Sequence, residues 1–282
     1  MAFDTRLPDA RAGANEQRPA ADIGDLLQRR SDLSTFLLHF TRDQEAGAAR
    51  SNLLSILRDR RIEARSAHGM MRAQAESSPA LAETQRCVCL TETPIEHAWM
   101  MCCDIASRAY QFSPYGLAFP KSWARRIGAN PVWYLDITPG HDWLTKPINA
   151  LIEISMAGES RGFVPDGRGE QILGRVSPEQ SQVAQIAPFI EQMGTHNGMA
   201  GYRKEFWWER EWRKVGSLSF SWSNVVAVFA PADDHTAFAA DAWGNQNTEP
   251  PNRPPLLDPS WGLGRMISAL RGISPIDAGP LP

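Results

Sequence analysis

The sequence predicts an α+β fold, and two observations support that prediction. Short apolar runs typical of buried strands recur along the chain, at residues 34–40, 87–91, 115–119, 131–137 and 225–230. The predicted helices do not alternate with these strands as they would in regular βαβ units. The chain has 282 residues, which is long enough to bury a sizeable core.

Helices are expected between these strands. Residues 52–61 carry leucine and isoleucine at helical spacing, and Ser51 or Asn52 is the predicted N-cap. Further helices are predicted at 94–108, 121–127 and 177–193.

The chain is expected to have three parts. Residues 1–30 form a leader that is largely disordered, 31–245 form a single domain, and 246–282 form a proline-rich arm. Within the domain, the glycine- and charge-rich stretch 157–182 has no clear period and is predicted to be a loop or insertion. Within the arm, residues 246–260 contain five prolines.

Composition excludes several functional classes. Apolar residues make up 43% of the chain, charged residues make up 22%, and the net charge is −3. That net charge argues against electrostatic binding of nucleic acid along the whole chain. No apolar run approaches the length that spans a bilayer, and the polar N-terminus does not have the apolar core of a secretory signal. A cytoplasmic protein with no membrane partner is therefore expected.

Four cysteines lie within 17 residues, with His97 between the pairs: Cys87, Cys89, Cys102 and Cys103. Their spacing matches no familiar structural zinc pattern. On a strand, Cys87 and Cys89 would point to one face as small buried hydrophobic residues. The cysteines are therefore predicted to be reduced core residues, and no metal site is expected.

Three short stretches contain the residues best suited to chemistry. They are LHFTR at 38–42, YGLAF at 115–119 and EREWR at 209–213. The last is predicted to belong to a strand over 206–215, on which Glu209, Glu211 and Arg213 would share one face.

In this order, the stretches resemble the histidine–tyrosine–glutamate branch of the ADP-ribosyltransferase superfamily. A closer likeness is to the AbiG-type abortive phage-resistance proteins, and it rests on HFT, LLSIL, VCLTETP, YGLAF, GANPVWY and EREWR. The superfamily likeness implies split antiparallel or mixed sheets with flanking helices. It also implies NAD as substrate and transfer of ADP-ribose to a macromolecular acceptor, either nucleic acid or protein.

The resemblance implies a role for each candidate residue. His39, Tyr115 and Glu211 would be catalytic. Contacts to NAD would come from His39, Thr41, Tyr115, Phe119 and Glu209. A carboxylate suits this reaction because cleavage of the nicotinamide–ribose bond develops positive charge on the ribose.

Other interpretations stay open. Singly, His39 and Tyr115 are typical core residues, and the two glutamates are typical of a solvated strand face. Because AbiG-type proteins have been assigned such a role, the rival hypothesis is a non-enzymatic, antitoxin-like partner of a toxin protein. A third hypothesis is hydrolysis of NAD by water.

Overall fold

The computed structural model describes residues 32–43, 47–105, 111–166, 168–195, 203–244 and 253–272. The chain divides into Met1–Leu33 and Ser34–Pro282, and the second unit contains every element described below. Residues 1–31, which include the whole predicted leader, lie outside the described residues.

The strands are, in chain order, β1 (Phe36–Phe40), β2 (Arg61–Ile62), β3 (Ser66–Ala67), β4 (Arg86–Thr91), β5 (Gly116–Pro120), β6 (Asn130–Pro131), β7 (Trp133–Asp136), β8 (Arg161–Pro165), β9 (Gln171–Arg175), β10 (Ile190–Thr195), β11 (Arg203–Lys204), β12 (Glu211–Val215), β13 (Leu218–Ser219), β14 (Ala227–Phe229) and β15 (Leu256–Leu257).

The α-helices are α1 (Ala48–Asp59), α2 (Arg72–Ala75), α3 (Pro79–Gln85), α4 (Ala98–Met101), α5 (Lys121–Arg126), α6 (Thr145–Met156), α7 (Gln182–Ile186), α8 (His235–Trp243) and α9 (Leu263–Leu270). Short 3₁₀ turns occur at Ile95–His97, Pro178–Gln180, Ala187–Phe189, Trp207–Glu209 and Trp222–Asn224. No helix within the described residues is long and apolar enough to cross a membrane.

An eight-stranded mixed sheet organises the described residues, with strand order β15-β14-β5-β1-β4-β12-β6 and β3 added along β4. The strands β11, β10 and β7 form a second sheet, and β8 pairs with β9 in a separate hairpin. The α+β class predicted from the sequence is therefore confirmed at that level.

The two faces of the central sheet are covered by different apolar clusters. On β1, Leu37 belongs to one cluster and Leu38 to the other. Successive side chains of a strand point to opposite faces, so the continuous apolar runs seen in the sequence correspond to strands that are buried on both sides.

The central sheet opens between β1 and β4. Among the described strand residues, β1 pairs with β5 at five register positions and β12 pairs with β4 at five, whereas β1 and β4 share only Leu38↔Thr91. The two strands therefore diverge on either side of that pair.

Several predicted elements were wrong in type or extent. The predicted strand 206–215 begins as a 3₁₀ turn, and Arg210 then adopts a left-handed backbone (φ 48°), so the strand starts only at Glu211. The stretch 157–182, predicted to be a loop, contains the hairpin β8–β9. The last residues of the predicted helix 177–193 form β10.

Helix ends also differ from the predictions. The first helix begins at Ala48 with Gly47 as its N-cap, four to five residues before the predicted caps. The predicted helix 94–108 consists of a 3₁₀ turn and the short α4, and residues 106–110 lie outside the described part of the chain. From the proline-rich arm, β15 adds to the central sheet, while 245–252 and 273–282 are not described.

Candidate ligand-binding cleft

A cleft of about 1040 Å³ is lined by residues of both diverging strands, β1 and β4. Helix α1, the stretch 61–73, β10 and β12 also contribute to its wall. Of the residues predicted from the sequence, four line it: His39, Thr41, Glu209 and Glu211.

Glu211 is held by a buried arginine. The Arg213 guanidinium donates from Nε to Glu211 Oε1 and from one terminal nitrogen to Oε2, both at 2.9 Å. Both side chains lie on the same face of β12, as predicted, because they are two residues apart on a strand. Arg213 is 2% exposed, so this ion pair is well shielded from water.

Arg213 also connects Glu211 to a second glutamate. The same terminal nitrogen lies 2.6 Å from Glu191 Oε2, and the other donates to the Pro188 carbonyl at 2.7 Å. Lys204 Nζ lies 2.5 Å from Glu191 Oε1. Although burial opposes ionisation of Glu191, the Arg213 and Lys204 cations lower its pKa to about 2.

His39 bridges the gap between the diverging strands. Its Nδ1 donates to the Cys89 carbonyl of β4 at 2.9 Å, a bond that ties β1 to β4 where they separate. Burial lowers the pKa of His39 despite this hydrogen bond. The His39 ring is therefore neutral, and its Nδ1 is already used in a hydrogen bond that connects two strands.

The register separates His39 from Glu211. Leu38, Thr91 and Glu211 are directly opposite one another on three neighbouring strands and so share a face of the sheet. His39 follows Leu38 and lies beside Leu117 on the other face. Both residues border the cleft, but they approach it from different sides of the sheet.

Tyr115 and Phe119 lie elsewhere and are not among the described residues that line the cleft. The Tyr115 hydroxyl donates to Asp234 Oδ2 at 3.0 Å, and its ring packs 5.9 Å from that of Phe238. Burial, with the Asp234 carboxylate, raises the pKa of Tyr115 to about 12. Phe119 is fully buried and stacks on Trp123. The structure thus does not bring the three predicted catalytic side chains together.

Thr41 and Glu209 border the cleft, and each makes a local hydrogen bond, Thr41 through its hydroxyl and Glu209 through its backbone carbonyl. The Thr41 hydroxyl lies 2.9 Å from the Ala49 carbonyl and 3.0 Å from that of Tyr115. The Glu209 carbonyl accepts from the Thr91 hydroxyl. Because Glu209 lies in a 3₁₀ turn, the expectation that it shares a strand face with Glu211 was wrong.

The sequence did not predict that His68 and Cys89 lie together in the cleft. His68, just after β3, places Nε2 3.5 Å from the Cys89 sulfur on β4. Cys89 and Glu211 lie on one face of the sheet, and together with His68 they form a group of potential metal ligands. No sequence motif links the three residues, because 21 and 122 positions separate them.

The electrostatics of this group keep His68 and Cys89 neutral without a ligand. Burial lowers the pKa of His68 to about 4, and the Arg213 cation adds to that effect. Burial also raises the pKa of the Cys89 thiol well above its usual range, with the Glu211 carboxylate acting in the same direction. Cys87 lies on the same strand face as Cys89, as predicted, and is buried.

One comparison with known proteins decides the family. Residues 69–244 match a family model described as "Putative abortive phage resistance protein AbiGi, antitoxin". The chain belongs to the AbiGi family. This membership confirms the AbiG-type resemblance, and it supports a role in abortive phage resistance.

The other comparisons add no relatives. Neither a search of the curated proteins nor a search of the solved structures gave a match. None of the three supports the likeness to ADP-ribosyltransferases. The AbiGi match includes Cys89, Tyr115, Glu211 and Arg213 but begins after His39.

Proposed function

We propose that this protein acts in abortive phage resistance as an antitoxin-type partner that binds and neutralises a protein toxin. The family description supports this role. The observation that favours it over catalysis is the bidentate bond between Glu211 and the buried Arg213.

The reason is electrostatic. A carboxylate accelerates cleavage of NAD when its charge opposes the cation that develops on the ribose. In this cleft, the Arg213 guanidinium already neutralises the Glu211 charge at 2.9 Å. The other two members of the expected trio are also engaged, His39 with the Cys89 carbonyl and Tyr115 with Asp234.

An exposed apolar pair offers a surface for the toxin. Phe163 and Leu173 are direct cross-strand partners in the β8–β9 hairpin, so they share one face. Their exposed fractions are 74% and 58%. A two-stranded hairpin is marginally stable alone, and an apolar face of this kind gains stability when another protein covers it. We therefore place the toxin contact on the Phe163–Leu173 face.

The experiment is a growth assay. Each gene that flanks this one is induced alone, and any product that arrests growth is then co-expressed with the protein. We expect wild type to restore growth and to co-purify with that product. We expect the double variant Phe163→Ser, Leu173→Ser to do neither.

Ile172→Ser is the matched control, because Ile172 is 48% exposed on the opposite face of the same hairpin. We expect it to behave as wild type. If no flanking product is neutralised by wild type, the antitoxin proposal fails. If the double variant still neutralises, the toxin contact lies on another surface.

A second candidate function is ADP-ribosyl transfer from NAD. It is favoured by one observation, that His39, Thr41, Glu209 and Glu211 border the same cleft of about 1040 Å³. A cleft of this size is large enough for a dinucleotide. The test is incubation with labelled NAD and cell lysate, followed by separate digestion with nuclease and protease. Label transferred by wild type but not by Glu211→Gln would support the enzyme; absence of binding and turnover would exclude it.

A further inference from the structure

His68, Cys89 and Glu211 bring three metal-binding atoms to one wall of the cleft. The imidazole nitrogen, the sulfur and a carboxylate oxygen all lie within 4.8 Å of one another. They come from three elements: the residue after β3, the middle of β4 and the start of β12. All three side chains are partly buried and border the cleft.

The distance between His68 Nε2 and the Cys89 sulfur matches tetrahedral coordination. Bonds of about 2.3 Å to sulfur and about 2.0–2.1 Å to nitrogen at a tetrahedral angle place the two ligand atoms about 3.6 Å apart. The observed separation is 3.5 Å. Glu211 offers the third ligand atom, a carboxylate oxygen that lies within 4.8 Å of both of these atoms.

The surroundings hold the prospective ligands in place. Arg213 donates hydrogen bonds to both oxygens of Glu211. An ionised carboxylate has about four acceptor positions, so positions remain for a metal ion. Hydrogen bonds that orient ligating carboxylates are a general feature of protein metal sites. The backbone nitrogen of His68 donates to the Gln85 carbonyl at 2.9 Å, which fixes the residue that carries the imidazole.

The donor set indicates the metal. One thiolate, one imidazole and one carboxylate suit a borderline ion such as zinc better than calcium or magnesium, which prefer oxygen ligands alone. Three protein ligands with a fourth position left open are typical of zinc sites that bind water or a further ligand.

We propose that His68, Cys89 and Glu211 bind one zinc ion, with the fourth coordination position facing the cleft. Binding converts the Cys89 thiol to a thiolate and releases its proton to solvent, while His68 enters as the neutral imidazole. This site is distinct from the cysteine cluster considered in the sequence, because only Cys89 of that cluster belongs to it. It does not rest on the antitoxin hypothesis, and it gives Glu211 a different role from the one that the NAD hypothesis gives it.

The experiment is titration of the reduced, metal-free protein with ZnCl₂ in a calorimeter. We expect one zinc per chain for wild type and release of about one proton per ion at neutral pH. Cys89→Ser and His68→Gln each remove one ligand and should weaken binding at least about tenfold. Cys87→Ser is the matched control, since Cys87 lies on the same face of β4 but outside the ligand group.

Substitution with Co²⁺ gives a second measurement. A cobalt ion bound to Cys89 produces a thiolate-to-metal charge-transfer band, which we expect in wild type and Cys87→Ser and not in Cys89→Ser. Circular dichroism checks the fold of each variant. If Cys89→Ser does not fold, the zinc affinity of His68→Gln tests the proposal. If neither variant folds, the charge-transfer band in wild type and Cys87→Ser tests it. The proposal is overturned if wild type binds no zinc, if it shows no such band, or if the folded ligand variants bind as tightly as wild type.

Discussion

Two arginines of this protein lie between pairs of carboxylates, and they differ in burial. Arg213 pairs with Glu211 and Glu191 at 2.9 and 2.6 Å and is 2% exposed. Arg50, on α1, pairs with Asp234 at 2.7 Å and with Asp241 at 2.8 Å and is 26% exposed. The partners of Arg213 are also shielded, whereas Asp241 is 54% exposed.

The difference shows why equal hydrogen-bond geometry does not mean equal energy. Water can replace a lost partner at the Arg50 cluster, because Asp241 is already hydrated. At the Arg213 cluster, loss of the cation leaves two carboxylates in a poorly hydrated place and close to each other. The Arg213 cluster should therefore dominate both stability and its dependence on pH.

The largest effect is expected for Arg213→Ala. Removing one partner of a buried ion pair typically costs about 3–5 kcal/mol, because the remaining charges are uncompensated. We expect a loss of that size in the free energy of unfolding, measured by urea denaturation of the metal-free protein. A loss below about 1 kcal/mol would mean that the cluster is hydrated in solution.

The second effect is a decline of stability in acid. The folded pKa of His68 is lowered to about 4, against 6.5 for the free side chain. Between those values the unfolded chain binds a proton that the folded protein does not, so stability falls as the pH falls from 6.5 to 4, by up to about 3 kcal/mol. Glu191, with a folded pKa of about 2, extends the decline below pH 4.5.

The measurement is urea denaturation across this pH range with wild type, His68→Gln and His141→Gln, all metal-free. We expect His68→Gln to make the curve less steep between pH 6.5 and 4, while His39, whose pKa is also lowered by burial, keeps part of the decline. His141 is 71% exposed, and its variant should keep the wild-type profile. Identical slopes for wild type and His68→Gln would show that the histidine is hydrated.

Arg50→Ala should have a smaller effect than Arg213→Ala. Exposed and half-exposed pairs contribute about 0–1 kcal/mol each, and water can reach the remaining aspartates. Arg50 also lies over the Phe238 ring, 5.5 Å from its centroid, so some packing is lost as well. We expect a loss of about 1–2 kcal/mol by the same denaturation assay. A loss equal to that of Arg213→Ala would remove the distinction between the two clusters.

The central strands were predictable because their burial is continuous. Strands β1, β4, β5 and β14 are covered on both faces, so their apolar runs are visible in the sequence. The hairpin β8–β9 was missed because its strands are short, exposed and interrupted by Gly162 and Gly174. Helix α6 was missed because Pro147, harmless in a first helical turn, looks like a break in the sequence.

The candidate site was only partly predictable. The family resemblance singled out Glu211, and strand periodicity placed Arg213 on the same face. The partnership of Arg213 with Glu191 depends on the approach of β10 to β12, and no local pattern encodes it. His68 joins Cys89 through the addition of the two-residue strand β3 to β4, a pairing too short to be predicted from the sequence.

The smallest loss of stability is expected for Tyr115→Phe, which removes an uncharged hydrogen-bond donor from the Arg50 cluster. The change removes the hydroxyl that donates to Asp234 and keeps the ring that packs on Phe238. A single hydrogen bond to a partly exposed carboxylate contributes about 0.5–1.5 kcal/mol. Arg50 still pairs with Asp234 after the substitution, so that carboxylate is not left alone. We expect a loss of about 1 kcal/mol in urea denaturation and no change in zinc affinity, because Tyr115 lies outside the cleft. If Tyr115→Phe instead leaves stability unchanged but abolishes binding or turnover of NAD, then Tyr115 reaches the cleft in solution and the enzymatic hypothesis regains its third residue.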